Sequence, residues 1–176
     1  MLQTQQVRLV PCAEKHVALL AELGASTFEE AFSQTHPAKD LQQYIQETYQ
    51  LEAIKGNLKK SNVQYAVAYF DFQDAGYVKL IKDSNIDGLI GKALELEKIY
   101  VRSQFKGKKV GAALMQYVIN EAVKNGYSWL TLGVWQENKT AIAFYEKFGF
   151  KTISTRKFKL GQTECDDFIM VKDLRN

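Results

Sequence analysis

A short cationic turn is the first segment whose residues could do chemistry. Lys106-Gly107-Lys108-Lys109 precedes a stretch of helical periodicity that begins at Gly111. Cations at a helix N-terminus oppose the helix macrodipole, which favours anions there by about 0.3–1 kcal/mol per charge. Free backbone N–H groups at a helix start, beside glycines that permit close approach, form a cradle for phosphate groups. The turn therefore indicates a polyanion site, although a solvated turn whose lysines only aid solubility explains it equally well. It matches neither the Walker pattern nor GxGxxG, which argues against a P-loop and a Rossmann site.

Hydrophobic periodicity places this turn between a strand and a helix. Strands are predicted over residues 7–11, 63–70, 75–81, 94–101, 129–134, 150–158 and 167–171. Helices are predicted over residues 14–32, 40–48, 51–59, 111–124 and 139–148. Gly24 is a candidate kink, Asp40 a candidate N-cap, and residues 71–74 a candidate turn. This order predicts an α/β fold with a mixed sheet and helices on its faces. The cationic turn then lies at the sheet edge, where α/β proteins bind nucleotides.

The composition is that of an ordinary globular protein, with 176 residues, 46% hydrophobic and 24% charged residues, and a net charge of +3. This length predicts one domain over residues 1–176. The mild charge argues against a nucleic-acid partner. The cysteines and histidines lack zinc-site spacing, so no metal is predicted. The sequence shows neither the build of a signal peptide nor an apolar run of about 18 residues, so we expect a soluble, cytoplasmic protein without a membrane partner.

Two segments carry a family resemblance. LEKIYVRSQFKGKKVGAALM resembles motif A of the GNAT superfamily of N-acetyltransferases, a strand followed by Q/R-x-x-G-x-G/A and a helix. Gln104 and Gly107 match this motif, whereas Lys109 stands where the second Gly or Ala is usual. LGVWQENKTAIAFYEKFGF resembles motif B, and the matching residues are Asn138, Ala141, Phe144, Tyr145, Gly149 and Phe150. Together with STFEEAF near residue 26, these segments are similar to the bacterial spermidine/spermine N-acetyltransferase branch.

The resemblance implies the GNAT acyl-CoA N-acyltransferase fold, with a mixed, mostly antiparallel sheet of about seven strands, and acetyl-CoA as cosubstrate. It implies direct transfer of the acetyl group to a primary amine in a ternary complex. The residues that it assigns to the phosphates, mostly through main-chain amides, are Lys106, Gly107, Lys108, Lys109, Val110, Gly111 and Ala112. The pantetheine arm would pair with the strand edge at Ile99, Tyr100 and Val101. Asn138 would contact the cofactor as well as cap its helix, and Lys147 would reach the adenosine phosphates or stay an exposed helix lysine.

Two side chains are candidates for the proton transfers that acetylation of an amine requires. Tyr145 matches the family's usual general acid for the leaving thiolate, and a core tyrosine is the alternative. Neutralising an alkyl ammonium of pKa about 10.4 at pH 7 costs about 4.6 kcal/mol. Glu97 is the candidate base, directly or through water, and a salt bridge to a neighbouring lysine is an equal alternative. Glu95, two residues earlier on the same face, could assist.

The acceptor site is expected where the N-terminal helices face this strand. Glu30, with Glu29 and Glu47, and Trp135 are candidate substrate contacts, although solvated helix faces and a core tryptophan explain them as well. A polyamine is the favoured acceptor, with another small amine or a protein amino group as alternatives. Because Lys109 departs from the motif, a non-catalytic acyl-CoA-binding regulator is a further alternative. Similar proteins are often homodimers.

Overall fold

The computed structural model describes residues 7–175 and contains one seven-stranded sheet. Its strands are β1 Val7–Pro11, β2 Val63–Phe70, β3 Gln73–Ser84, β4 Ala93–Val101, β5 Trp129–Trp135, β6 Lys151–Leu160 and β7 Thr163–Asp173. The α-helices are α1 Val17–Phe32, α2 Ala38–Tyr49, α3 Leu51–Leu58, α4 Val110–Lys124 and α5 Lys139–Lys147. Short 3-10 turns at Glu14–His16 and Ser103–Phe105 precede α1 and α4. Within residues 7–175, no helix combines the length and the apolar character that a membrane crossing needs.

The strand order is β1-β2-β3-β4-β5-β7-β6, and every neighbouring pair is antiparallel except β4 with β5. Strand alternation sends side chains to two covered faces. On β2, Ala66 and Ala68 belong to the core that contains Leu114 of α4, whereas Tyr65 and Val67 belong to the core beneath α1 to α3. Because both faces are covered, β2 and β5 are nearly continuous apolar runs. The predicted mixed, mostly antiparallel sheet of seven strands is confirmed.

The sheet opens between its two central strands. β4 and β5 pair in parallel at only three positions, where residues 93–95 face residues 129–131. Beyond these pairs β4 continues to Val101 and β5 to Trp135 without pairing to each other. β4 also carries a β-bulge, since Lys79 of β3 pairs with Lys98 and Leu80 pairs with Leu96, which leaves Glu97 as the extra residue. The edge of β4 that faces β5 is therefore free over most of its length.

Several local features differ from the sequence-based expectations. α1 runs unbroken through Gly24. The Tyr49 ring packs against this glycine so closely that a Cβ atom there would overlap the ring. α2 begins after Pro37, so Asp40 is not its N-cap. The Asp40 carboxylate instead accepts hydrogen bonds from the Gln162 amide at 3.1 Å and the Thr163 hydroxyl at 2.6 Å. Asp40 thus ties α2 to the turn between β6 and β7.

Candidate active site

A cleft of about 1260 Å³ occupies the opening between β4 and β5. It reaches from the first turn of α4 to the surface that α1 and α2 cover. The predicted site residues that line it are Glu30, Glu97, Ile99, Tyr100, Val101, Lys106, Gly107, Lys109, Val110, Gly111, Ala112, Trp135, Asn138, Tyr145 and Lys147. Lys108 does not line it, because its ammonium group lies over the rings of Phe70 and Phe105, at 5.1 and 5.6 Å from their centroids. The structure therefore gathers nearly all of the predicted residues around one cavity.

Main-chain N–H groups line the end of the cleft beside α4. The amides of Lys106 and Lys108 donate to Ser103 and Phe105 carbonyls, which fixes the turn. The first-turn amides of Val110, Gly111 and Ala112 have no acceptor among residues 7–175. They form the positive end of the α4 dipole, which attracts anions. This arrangement can hold phosphate oxygens without help from the lysine side chains.

Lys109 occupies the position where the motif usually has Gly or Ala, and its backbone conformation favours glycine there. Its φ of 63° and ψ of 10° lie in the left-handed region, and the residue is exposed. A non-glycine residue held in this region costs about 1–2 kcal/mol. Lys109 is part of the cleft lining, and the first-turn amides of α4 have no acceptor among residues 7–175. The departure from the motif therefore costs conformational energy but gives these amides no internal partner.

We expect Lys109→Gly to raise the free energy of unfolding by about 1 kcal/mol, because glycine adopts the left-handed conformation without the steric cost. Chemical denaturation of the variant and the parent protein measures this change. Lys108→Gly is the matched control, since Lys108 has no positive φ. Glycine there adds unfolded-state entropy and removes the contacts of the ammonium group with Phe70 and Phe105, so this variant should be less stable than the parent. A Lys109→Gly protein no more stable than the parent would contradict the account.

Tyr145 of α5 lines the cleft. The residue is only 8% exposed, and its ring packs against Phe144 and Phe150, with centroid distances of 5.6 and 5.9 Å. Burial raises the pKa of the phenol above its ordinary value. Its hydroxyl makes no hydrogen bond to any other residue in the described part of the chain. A protonated donor with no internal partner is thus available to a group in the cleft.

Asn138 sets the position of α5 and therefore of Tyr145. Its side-chain oxygen accepts a hydrogen bond from the Ala141 amide at 3.1 Å, as the predicted N-cap requires. The side-chain NH₂ group is not used by this bond, and Asn138 is part of the cleft lining. One residue can thus cap the helix and contact a ligand.

Glu97 forms the ion pair that was the alternative to its role as a base. Its carboxylate lies 2.5 Å from the ammonium group of Lys79, which is only 7% exposed. The bulge at Glu97 also turns Lys98 to the α1–α3 face, where its ammonium donates to the Tyr44 hydroxyl at 3.0 Å. A carboxylate bound this closely to a buried cation is committed to that cation. The role of Glu97 as the base stays a prediction.

The carboxylates of the N-terminal helices do not form the expected cluster. Glu30 accepts hydrogen bonds from the Ser103 amide at 2.7 Å and the Ser103 hydroxyl at 2.9 Å, which joins α1 to the turn before α4. Glu29 and Glu47 bond to glutamine side chains and do not line the cleft. Glu30 therefore positions the turn, and a set of free acids on these helices is absent from the described residues.

Other charged and aromatic groups complete the cleft on the side that α1 and α2 cover. Trp135 contacts His36, with 4.7 Å between ring centroids, and the His36 Nε2 atom lies 3.5 Å from the thiol of Cys165. The guanidinium of Arg156 lies 3.8 Å from carboxylate oxygens of both Glu95 and Asp167. Sequence reasoning did not select Arg156 or Asp167. Only the pairing of β7 with both β5 and β6 brings them to the cleft, and no local pattern reports that pairing.

Comparison with known proteins gives a consistent result. The model of the acetyltransferase (GNAT) family matches residues 25–150. An uncharacterized N-acetyltransferase from Lactobacillus delbrueckii subsp. lactis is 27% identical over 169 residues, covering 96% of this chain and 98% of the relative. The spermidine N(1)-acetyltransferase of Thermoplasma acidophilum is 23% identical over 157 residues, covering 87% of this chain and 88% of its own.

A comparison with a solved structure concerns the fold. The PaiA N-acetyltransferase from Thermoplasma acidophilum, crystallised in complex with coenzyme A, superimposes with a TM-score of 0.77 at 20% identity. The superposition covers 96% of this chain and 99% of that one. Both chains therefore share their architecture over nearly their whole length.

Proposed function

This chain belongs to the acetyltransferase (GNAT) family, and from that premise we propose that it acetylates a polyamine by direct transfer from acetyl-CoA. As a member of this family it is an acetyl-CoA-dependent N-acetyltransferase with an amine acceptor. The polyamine, the direct ternary complex and the role of each residue are the proposal. Its support comes from the cleft and from the similarity to a spermidine N(1)-acetyltransferase.

The observation that carries the proposal is the opening between β4 and β5. Peptide-like groups of a pantetheine arm can pair with the free edge of β4 near Ile99 and Val101, in the manner of an added strand. The diphosphate would then meet the first-turn amides of α4, from Val110 to Ala112. The thioester would lie within the cleft that Tyr145 also lines. One cavity thus offers a separate contact for each part of the donor.

The reaction that this arrangement supports has three steps. The acceptor ammonium loses a proton, and the neutral nitrogen attacks the thioester carbonyl, which a main-chain amide of β4 would polarise. The C–N bond forms and the C–S bond breaks. Tyr145 gives its hydroxyl proton to the departing sulfur and regains one, through solvent, from the nitrogen of the intermediate. The net products are the acetamide, free coenzyme A and one proton.

The acceptor end of the cleft suits an amine on an alkyl chain. Aromatic rings of Phe28, Phe32, Tyr100 and Trp135 line it, and their faces attract alkylammonium groups by about 0.5–2 kcal/mol each. The carboxylates of Glu95 and Asp167 add negative charge, and Arg156 offsets part of it. This mixture supports a cationic aliphatic acceptor.

Release of thiol from acetyl-CoA, followed with a panel of amines, tests the proposal. We expect spermidine or spermine to give a kcat/KM at least about tenfold above a monoamine of equal length, since each further ammonium can meet a carboxylate or an aromatic face. Preference for a peptide α-amino or lysine group would reject the polyamine and leave the acetyltransfer intact. Tight binding of coenzyme A without turnover of any amine would instead support the regulator.

A further inference from the structure

Asp167 of β7 is a buried carboxylate that faces the cleft and lacks a close partner. It is 8% exposed, and its nearest cationic atom, Nε of Arg156, lies 3.8 Å away. Its carboxylate makes no hydrogen bond to another residue within 7–175. Glu97, by contrast, lies 2.5 Å from a buried ammonium group. Of these two cleft carboxylates, Asp167 is the one with no cation in close contact with either oxygen atom.

The strand register explains how Asp167 reaches the cleft. Trp135 of β5 and Arg156 of β6 both pair with Asp167, so the three side chains form one row on one face of the sheet. Trp135 contacts Phe32 and His36, which places this row on the face covered by α1 and α2. The acceptor would enter on this face, because Tyr145 and Val110 belong to the core on the α4 side of the sheet.

Arg156 keeps its guanidinium between two carboxylates. It lies over Gly133 of β5, where a Cβ atom would stand too close to the guanidinium for both to fit. From there it is 3.8 Å from an oxygen of Glu95 and 3.8 Å from an oxygen of Asp167, and it makes no hydrogen bond within the described residues. A cation at this distance holds Asp167 in its charged form and leaves its oxygen atoms available to a substrate.

We infer that Asp167 binds the acceptor ammonium and accepts its first proton, with Arg156 as the positioning residue. This inference rests on the proposed function, because it needs an amine acceptor in the cleft. The proton passes from the ammonium nitrogen to a carboxylate oxygen of Asp167 and then to solvent. The freed electron pair attacks the thioester carbon, and Tyr145 protonates the sulfur as above. Glu97 then serves to hold Lys79 and the bulge of β4.

The electrostatic surroundings agree with this geometry. Burial raises the pKa of Asp167, and Arg156 opposes that rise. A carboxylate of raised pKa is a better proton acceptor than an ordinary aspartate, and the neighbouring guanidinium favours its charged form. Burial raises the pKa of Tyr100, and the Asp167 carboxylate and the Tyr145 phenol add to that rise. The other titratable or charged groups around Asp167 are Glu95, His36, Cys165 and Asp166.

Replacement of the carboxylate gives the direct test. We expect Asp167→Asn to lower kcat/KM for the best amine by about 100-fold or more at pH 7. Its rate should then rise with pH in parallel with the free amine, up to about pH 10, whereas the parent enzyme reaches a plateau at lower pH. Asp166→Asn is the matched control, because Asp166 is the next residue, pairs with Lys157 at 2.7 Å and does not line the cleft. The Kd for coenzyme A should be unchanged in both variants.

Arg156→Gln provides a second test that does not remove the carboxylate. Loss of the guanidinium should raise the pKa of Asp167, so the acidic limb of the rate profile should move to higher pH. An acidic limb that does not move in Arg156→Gln would overturn the inference. So would an Asp167→Asn enzyme that keeps the pH–rate profile of the parent while Glu97→Gln changes it, and the role of the base would then return to Glu97. A parent protein that turns over no amine would instead defeat the proposed function.

Discussion

We expect Tyr145→Phe to lower kcat by about 100- to 1,000-fold while the Kd for coenzyme A changes less than about threefold. The substitution removes only the hydroxyl. The remaining ring keeps its contacts with Phe144 and Phe150, so α5 and the cofactor cleft should stay in place. In the proposed mechanism the lost hydroxyl protonates the departing sulfur, so its removal affects the chemical step and not the binding of acetyl-CoA.

Steady-state kinetics and calorimetric titration of coenzyme A measure the two quantities separately. Tyr117→Phe is the matched control, because the Tyr117 hydroxyl accepts a hydrogen bond from Gln64 at 3.0 Å and does not line the cleft. Burial raises the pKa of Tyr145, and the protonated phenol is the form that the proposed mechanism uses. The Tyr145 phenol therefore loses its proton only above the ordinary phenol pKa of about 10. The pH–rate profile should show no decrease caused by Tyr145 below that pH. Equal losses of kcat and of coenzyme A affinity would reject Tyr145 as the acid.

The second large effect concerns one main-chain N–H group in the first turn of α4. We expect Gly111→Pro to weaken coenzyme A binding by about 10- to 100-fold, since a hydrogen bond to a charged group contributes about 1.5–3 kcal/mol. Proline lacks the N–H group yet is tolerated in the first helical turn, where that group has no partner within the helix. The amide of Gly111 has no acceptor among residues 7–175, so the fold itself loses no hydrogen bond.

Gly111→Ala isolates the contribution of the amide. Alanine keeps the N–H group, and its Cβ atom would meet Phe144 and Val101 at ordinary contact distances of 3.7 and 3.8 Å. Calorimetry should give the alanine variant an affinity close to that of the parent, while thermal melting shows whether the proline variant is folded. Equal affinities for the proline and alanine variants would mean that the diphosphate is held by lysine side chains instead.

Local patterns were sufficient for much of the fold. The apolar stripe that includes Leu114, Met115 and Val118 predicts α4, and all three side chains are fully buried. The periodicity of residues 63–70 predicts β2 at the observed bounds. These elements can be predicted locally because apolar residues recur along the chain with the period of the helix or strand whose face is buried. The cationic turn and motif B are likewise local, so most of the cleft lining was predictable.

The remaining features depend on contacts between distant segments. Glu95 and Glu97 are two residues apart, but the bulge in β4 gives them different partners, Arg156 and Lys79. Asp167 reaches the cleft only through the register of β7 with its two neighbours. Asp40 has the sequence context of a helix cap, yet it binds a turn more than a hundred residues away. Register and long-range capping leave no periodic trace in a single sequence.

The short pairing of β4 with β5 has a consequence for the stability of the protein during its reaction cycle. Backbone pairing between β1–β4 and β5–β7 is limited to three positions of β4 and β5. A pantetheine arm bound along the free edge of β4 would fill the gap between the two parts of the sheet and connect them. Because the arm binds and leaves in each turnover, we expect the protein to be most resistant to heat and proteases while acetyl-CoA is bound.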